Sequence, residues 1–138
     1  MLASLGHATA YSLVGMALLV VGFVVLDLLT PGKLAEQIWV HRSANAAVVV
    51  SCGFIGLGLV VFAAIWTNGE ASLGSALGWT VAFGLLGVLL QALAGAVLEL
   101  LTPGRMRDVL VARELHPGSV VLGAAQLAVS FVVVASIW

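Results

Sequence analysis

The chain has 138 residues, 62% of them hydrophobic and 8% charged, with a formal net charge of -1 and a mean hydropathy of +1.22. A water-exposed globule carries about 25% charged residues. A soluble domain is therefore excluded, and with it the disordered, collagen-like, disulfide-framework and nucleic-acid-binding classes. Four spanning helices of about 20 residues need roughly 80 residues, which this length supplies.

The first apolar run is Ala8–Leu29. No Lys or Arg precedes it, and it is longer than the roughly 7–15 residues of a signal-peptide core, so it is expected to stay in the mature protein as a spanning helix. Further runs follow at Ala44–Trp66, Leu77–Leu101 and Pro117–Trp138. At a rise of about 1.5 Å per residue, 22 residues reach about 33 Å, enough to cross a hydrocarbon core of about 30 Å. The runs are continuous rather than alternating, and too long for strands. Cys52, the lone cysteine, lies within an apolar run and reads as a small core hydrophobe.

All five basic residues fall in two loops: Lys33 and Arg42 in the first, Arg105, Arg107 and Arg113 in the third. The positive-inside rule puts those loops in the cytoplasm and both termini outside. Trp66, Trp79 and Trp138 then fall at outer helix ends, where an aromatic belt belongs. Each basic loop opens on a Thr-Pro pair: Thr30 and Thr102 suit an N-cap, and Pro31 and Pro103 the first helical position. Both loops read as short amphipathic helices at the interface.

An offset of 72 residues aligns 24–66 with 96–138 without a gap, at 14 identities in 43 positions. The polar matches carry the weight: Asp27 with Glu99, Thr30-Pro31-Gly32 with Thr102-Pro103-Gly104, Lys33 with Arg105, Glu36 with Asp108. The expected fold is an all-α integral membrane bundle of four transmembrane helices, arranged as two tandem parallel two-helix repeats, 1–66 and 73–138. The expected symmetry axis runs along the membrane normal.

The pattern D-L-L-T-P-G-K-L, followed by S-A-N-A-A-V and a glycine-rich apolar helix, and then a second copy, resembles a bacterial inner-membrane family, domain of unknown function 350. The resemblance covers essentially the whole chain. It implies a four-helix inner-membrane protein with duplicated halves, and it brings no established biochemical activity. Its motif falls on Asp27, Thr30, Pro31 and Asn45 in the first half, and on Glu99, Thr102 and Pro103 in the second. The second-half counterpart of Asn45 is Pro117.

Asp27 and Glu99 are the candidate cation-binding acids. Each ends an apolar helix, where a carboxylate both leaves water and faces the negative end of the helix dipole. The structural alternative is that each is held by the N–H groups of the helix that begins three residues later. Gln91 and Gln126 are intramembrane polar groups; with Gly95 and Glu99, Gln91 forms one stripe. They read first as hydrogen-bonding glue between helices, and second as the lining of a wet path confined to the second half. Asn45 is expected to cap the second spanning helix or to contact a partner. No spacing points to a metal, a cofactor or a catalytic set, so an enzyme is not expected. Four helices leave little room for a pore, so a conducting form calls for a homo-oligomer. Two functions fit these residues: an oligomeric carrier or channel for a small cation, with polyamines as one cargo class, or a membrane-embedded adaptor docking a cytoplasmic protein or anionic lipid.

Overall fold

The computed structural model describes residues 1–29, 38–40, 42–68, 70, 72–101 and 114–138. Four helices contain most of them: α1 Leu2–Leu29, α2 Ala44–Thr67, α3 Leu73–Leu101 and α4 Pro117–Ile137. All four are long and apolar enough to cross a membrane. The expected spans are matched closely. α1 and α3 begin six and four residues earlier than hydropathy alone placed them, because Ser4, His7, Gly74 and Ser75 depress hydropathy without ending a helix. Proline is absent from the helix interiors and appears at the first position of α4, where its missing N–H costs nothing. Ser43 caps α2 by accepting from the Ala46 amide at 3.2 Å, and His116 caps α4 by accepting from the Gly118 amide at 2.9 Å through Nδ1. The Thr-Pro motif residues Thr30, Pro31, Thr102 and Pro103, and the amphipathic connectors that follow them, lie outside the described residues.

Close neighbours fix the helix directions. α1 lies antiparallel to α2: Gly15 faces Val61, Gly22 faces Leu57 and Gly53 faces Leu26. α3 also runs antiparallel to α2, with Gly87 against Val60 and Gln91 bonded to Gly53. α2 and α4 are parallel, since Gly123 meets Cys52, Gln126 meets Gly53 and Ser130 meets Gly56. Both basic connectors therefore start and end at one end of the bundle, and the α2–α3 turn and both termini lie at the other.

The α2–α4 interface is the largest in the bundle, and α2 also packs on α1 and α3. Glycine makes the closest approaches. A Cβ on Gly84 would stand 2.6 Å from a Leu18 methyl, and one on Gly56 would overlap Ser130. In lipid, where apolar burial gives little drive, such small-residue contacts carry helix association. α1 is the least covered helix, with only Leu18 and Gly22 buried among its described side chains. Leu13, Met16, Val20, Leu89, Phe131 and Val132 are exposed, giving the bundle an apolar outside.

Two registers coexist. The α2–α4 neighbours Cys52–Gly123, Gly53–Gln126 and Gly56–Ser130 are 71, 73 and 74 residues apart, bracketing the 72-residue offset of the sequence. The α1–α3 neighbours Leu18–Gly84 and Gly22–Val88 are both 66 apart. α1 is thus displaced by six residues, about 9 Å along its axis.

Candidate functional site

Gln91, Gln126 and Ser130 meet where α2, α3 and α4 converge. Gln91 is 3% exposed and Gln126 4%. The Gln91 Nε2 donates to the Gly53 carbonyl at 3.2 Å and to the Ser130 Oγ at 2.9 Å, and Ser130 donates to the Gln126 carbonyl at 2.9 Å. Gly56 makes this possible, because any side chain there would fill the space of Ser130 Oγ and reach within 3.0 Å of Gln91 Nε2. Gln91 thus ties three helices together. Bonds of this kind are worth roughly 0.6–2 kcal/mol each in a membrane.

Gln126 is different. Its Oε1 is buried and has no hydrogen-bond partner among the described residues. It lies against Gly53, 3.8 Å from where a Cβ would stand. Gln126 and Gly53 are each nine residues from the start of their helices. At 1.5 Å per residue that depth is about 14 Å, close to the middle of a hydrocarbon core of about 30 Å.

The acids are not brought into one layer. Asp27 is half-buried and Glu99 exposed, each in the last turn of its helix at the connector end. The displaced α1–α3 register sets Asp27 level with Leu93, so Glu99 stands about 9 Å further along. Both make interactions within the protein. In the stripe Gln91, Gly95 and Glu99, the first two are buried and the third is not.

The expected cap role of Asn45 is corrected. Ser43 is the cap, and Asn45, 0% exposed in the first turn of α2, reaches across the bundle. Its Nδ2 donates to the Glu114 carbonyl at 2.8 Å, and its Oδ1 accepts from the His116 amide at 2.7 Å. It thus holds the backbone immediately before Pro117, its own counterpart position. Sequence reasoning passed over Ser130 altogether: a serine in an apolar helix is common, and only its facing Gly56 marks it. Among the described residues, no group of three His, Cys, Asp or Glu could hold a metal. Cys52 is half-buried and packs on Gly123.

Four apolar spans closed over a small polar interior define a multi-pass membrane protein. The family described as Domain of Unknown Function (DUF350) matches residues 1–137, and the chain belongs to it. It is 40% identical over 127 residues to a UPF0719 transmembrane protein of Mycolicibacterium paratuberculosis, covering 92% of this chain and 83% of that one. UPF0719 transmembrane proteins of Mycobacterium bovis and Mycobacterium tuberculosis are 37% identical with the same coverage. No solved structure matches.

Proposed function

We propose that the protein carries a small cation across a bacterial inner membrane, as a homo-oligomer with both termini outside, and catalyses no covalent step. The observation that carries this reading is the Gln126 Oε1, an acceptor oxygen near the bilayer midplane with no hydrogen-bond partner among the described residues. Leaving such a group unsatisfied costs about 1–3 kcal/mol. An acceptor kept there at that cost suits a passing cation or proton donor, and polar groups inside membranes mark ion and proton paths. Asp27 and Glu99 would gather cations at the connector end. Val49, Val50, Leu57 and Val60 pack the interior on either side of the polar cluster. Conduction through one rigid chain is thereby opposed, which favours a path formed with other copies. The orientation rests on the five basic residues, all of them in the two connectors.

The test is flux of K⁺, H⁺ and spermidine into proteoliposomes. Wild type should move one of them, while Gln126→Leu and the Asp27→Asn/Glu99→Gln pair lose at least about tenfold of the rate at unchanged native mass. No flux of any of the three from folded, inserted protein would overturn the reading. A second reading, an adaptor docking a cytoplasmic protein or anionic lipid, draws on Trp39 and Val40, which are 81% and 69% exposed beside Arg42 at the connector end. Under it, charge reversal at Arg105, Arg107 and Arg113 releases the partner and the acid substitutions do little.

A further inference from the structure

Seventy-two residues make twenty turns of 3.6, so residues that far apart point the same way on their helices. α2 meets α4 through Val48, Cys52, Gly53 and Gly56, whereas α4 meets α2 through Gly123, Gln126 and Ser130. Shifted back by 72, the α4 set becomes Ser51, Phe54 and Gly58, roughly a third of the way round α2 from the face in use. The two helices therefore join by different faces. A contact of this head-to-tail kind always leaves half of itself open at each end, and repeated it gives rings or open assemblies.

Both open halves are on the surface. On α2, Ser51 and Phe54 are exposed and Gly58 is half-buried. On α4, the counterparts of Val48, Cys52 and Gly56 are Val120, Ala124 and Ala128, all exposed, and that of Gly53 is Ala125, half-buried. A groove of about 470 Å³ runs beside them between α3 and α4, lined by Leu90, Ala94, Val129 and Val132 among others. The corresponding residues of the first hairpin are Leu18, Gly22, Leu57 and Val60, and all four are buried. α3 covers them, with Gly84 on Leu18, Val88 on Gly22, and Gly87 on Leu57 and Val60. The first hairpin has its groove filled by α3, and the matching groove of the second hairpin stands open among the described residues.

We propose that a second copy of this chain fills that groove. The Val120–Ala124–Ala128 face of α4 packs on the partner's Ser51 and the partner's Phe54, and the α3–α4 groove receives the first helix of that copy. The interface is continuous with the α2–α4 contact inside the chain and reuses its geometry. It joins parallel helices, so both copies keep one orientation in one bilayer. α1 has the bare apolar surface the groove requires, with Leu13, Met16 and Val20 each at least 60% exposed. Ala124 and Ala128 let the backbones approach, as membrane interfaces demand. The inference names the interface the oligomeric carrier needs; it rests on that reading for its purpose and not for its geometry.

The neighbours Cys52 and Gly123, moved by 72, become Ala124 of one copy and the partner's Ser51. Ser51→Cys with Ala124→Cys, in a Cys52→Ala background, is oxidised in native membranes. Dimers and higher bands that vanish on reduction are expected, with only background from either single variant. Gly123→Cys with native Cys52 is the control. Its Cβ would stand 3.3 Å from that of Cys52, so it closes within one chain at monomer mass. Absence of cross-links while the control closes would overturn the proposal, as would equal cross-linking by Ala124→Cys alone, the mark of a face pairing with itself. Flux measured on the same membranes separates the two claims. Cross-links without flux keep the interface and remove the carrier; flux from a monomer with no cross-links does the reverse.

Discussion

At Gln91, Gln126 and Ser130 the second half of the chain buries two amides and a hydroxyl. At the equivalent Leu19, Phe54 and Gly58 the first half is apolar, and Phe54 stacks on Phe23 with ring centroids 6.0 Å apart. Surroundings explain the difference. The polar set is enclosed by three helices that supply a carbonyl, a hydroxyl and a facing glycine. Phe54 is 38% exposed on an outward apolar side, facing lipid or a neighbouring copy, where an unpaired amide would cost several kcal/mol and an aromatic ring costs nothing. Polarity in this molecule is placed where the fold can close over it.

The sharpest way to break the contrast is at Gly56. Gly56→Val drives a side chain into Ser130 and Gln91, and a loss of about 3 kcal/mol is expected from overpacking of this kind, read as a fall in the unfolding midpoint in detergent. Adding Ser130→Gly to a milder Gly56→Ala should return part of the loss, and strict additivity of the two would show that the contact does not exist. Asn45→Ala removes two bonds to the far half, for about 2 kcal/mol, measured the same way. Gln91→Leu copies the first half's solution into the second. It should cost about 1–2 kcal/mol, because the Gly53 carbonyl and Ser130 lose their donor. The smallest effect belongs to Gln126→Leu, which discards an unpaired oxygen: stability is expected within about 0.5 kcal/mol of wild type, or above it. A large loss there would mean that Oε1 is bonded in the folded protein. Near-neutral stability with lost flux would mark Gln126 as kept for use.

Much of the fold was legible because a bilayer imposes so simple a rule on length and polarity. Ser4 and His7 misled only at the N-terminal end of α1, where a helix can emerge into water without penalty. The two glutamines stood out as polar groups in apolar runs, but their unequal fates could not be read. Which amide finds a donor or acceptor depends on helix rotation, and Leu19 and Phe54 give no hint of it. Asn45 was misassigned for a related reason. A polar residue in a first turn suggests a local cap, and nothing local reveals that the chain near residue 115 passes beside it. The 66-residue register of α1 against α3 was equally hidden, since a repeat in sequence carries no instruction about sliding.

The reach of Asn45 also bears on how the protein is made. Its partners Glu114 and His116 lie 69 and 71 residues further along the chain, so neither of these bonds can form until the ribosome has released nearly everything before α4. A polypeptide halted after three spans lacks both of these bonds, so the tie between the two halves is completed only when the last span is made.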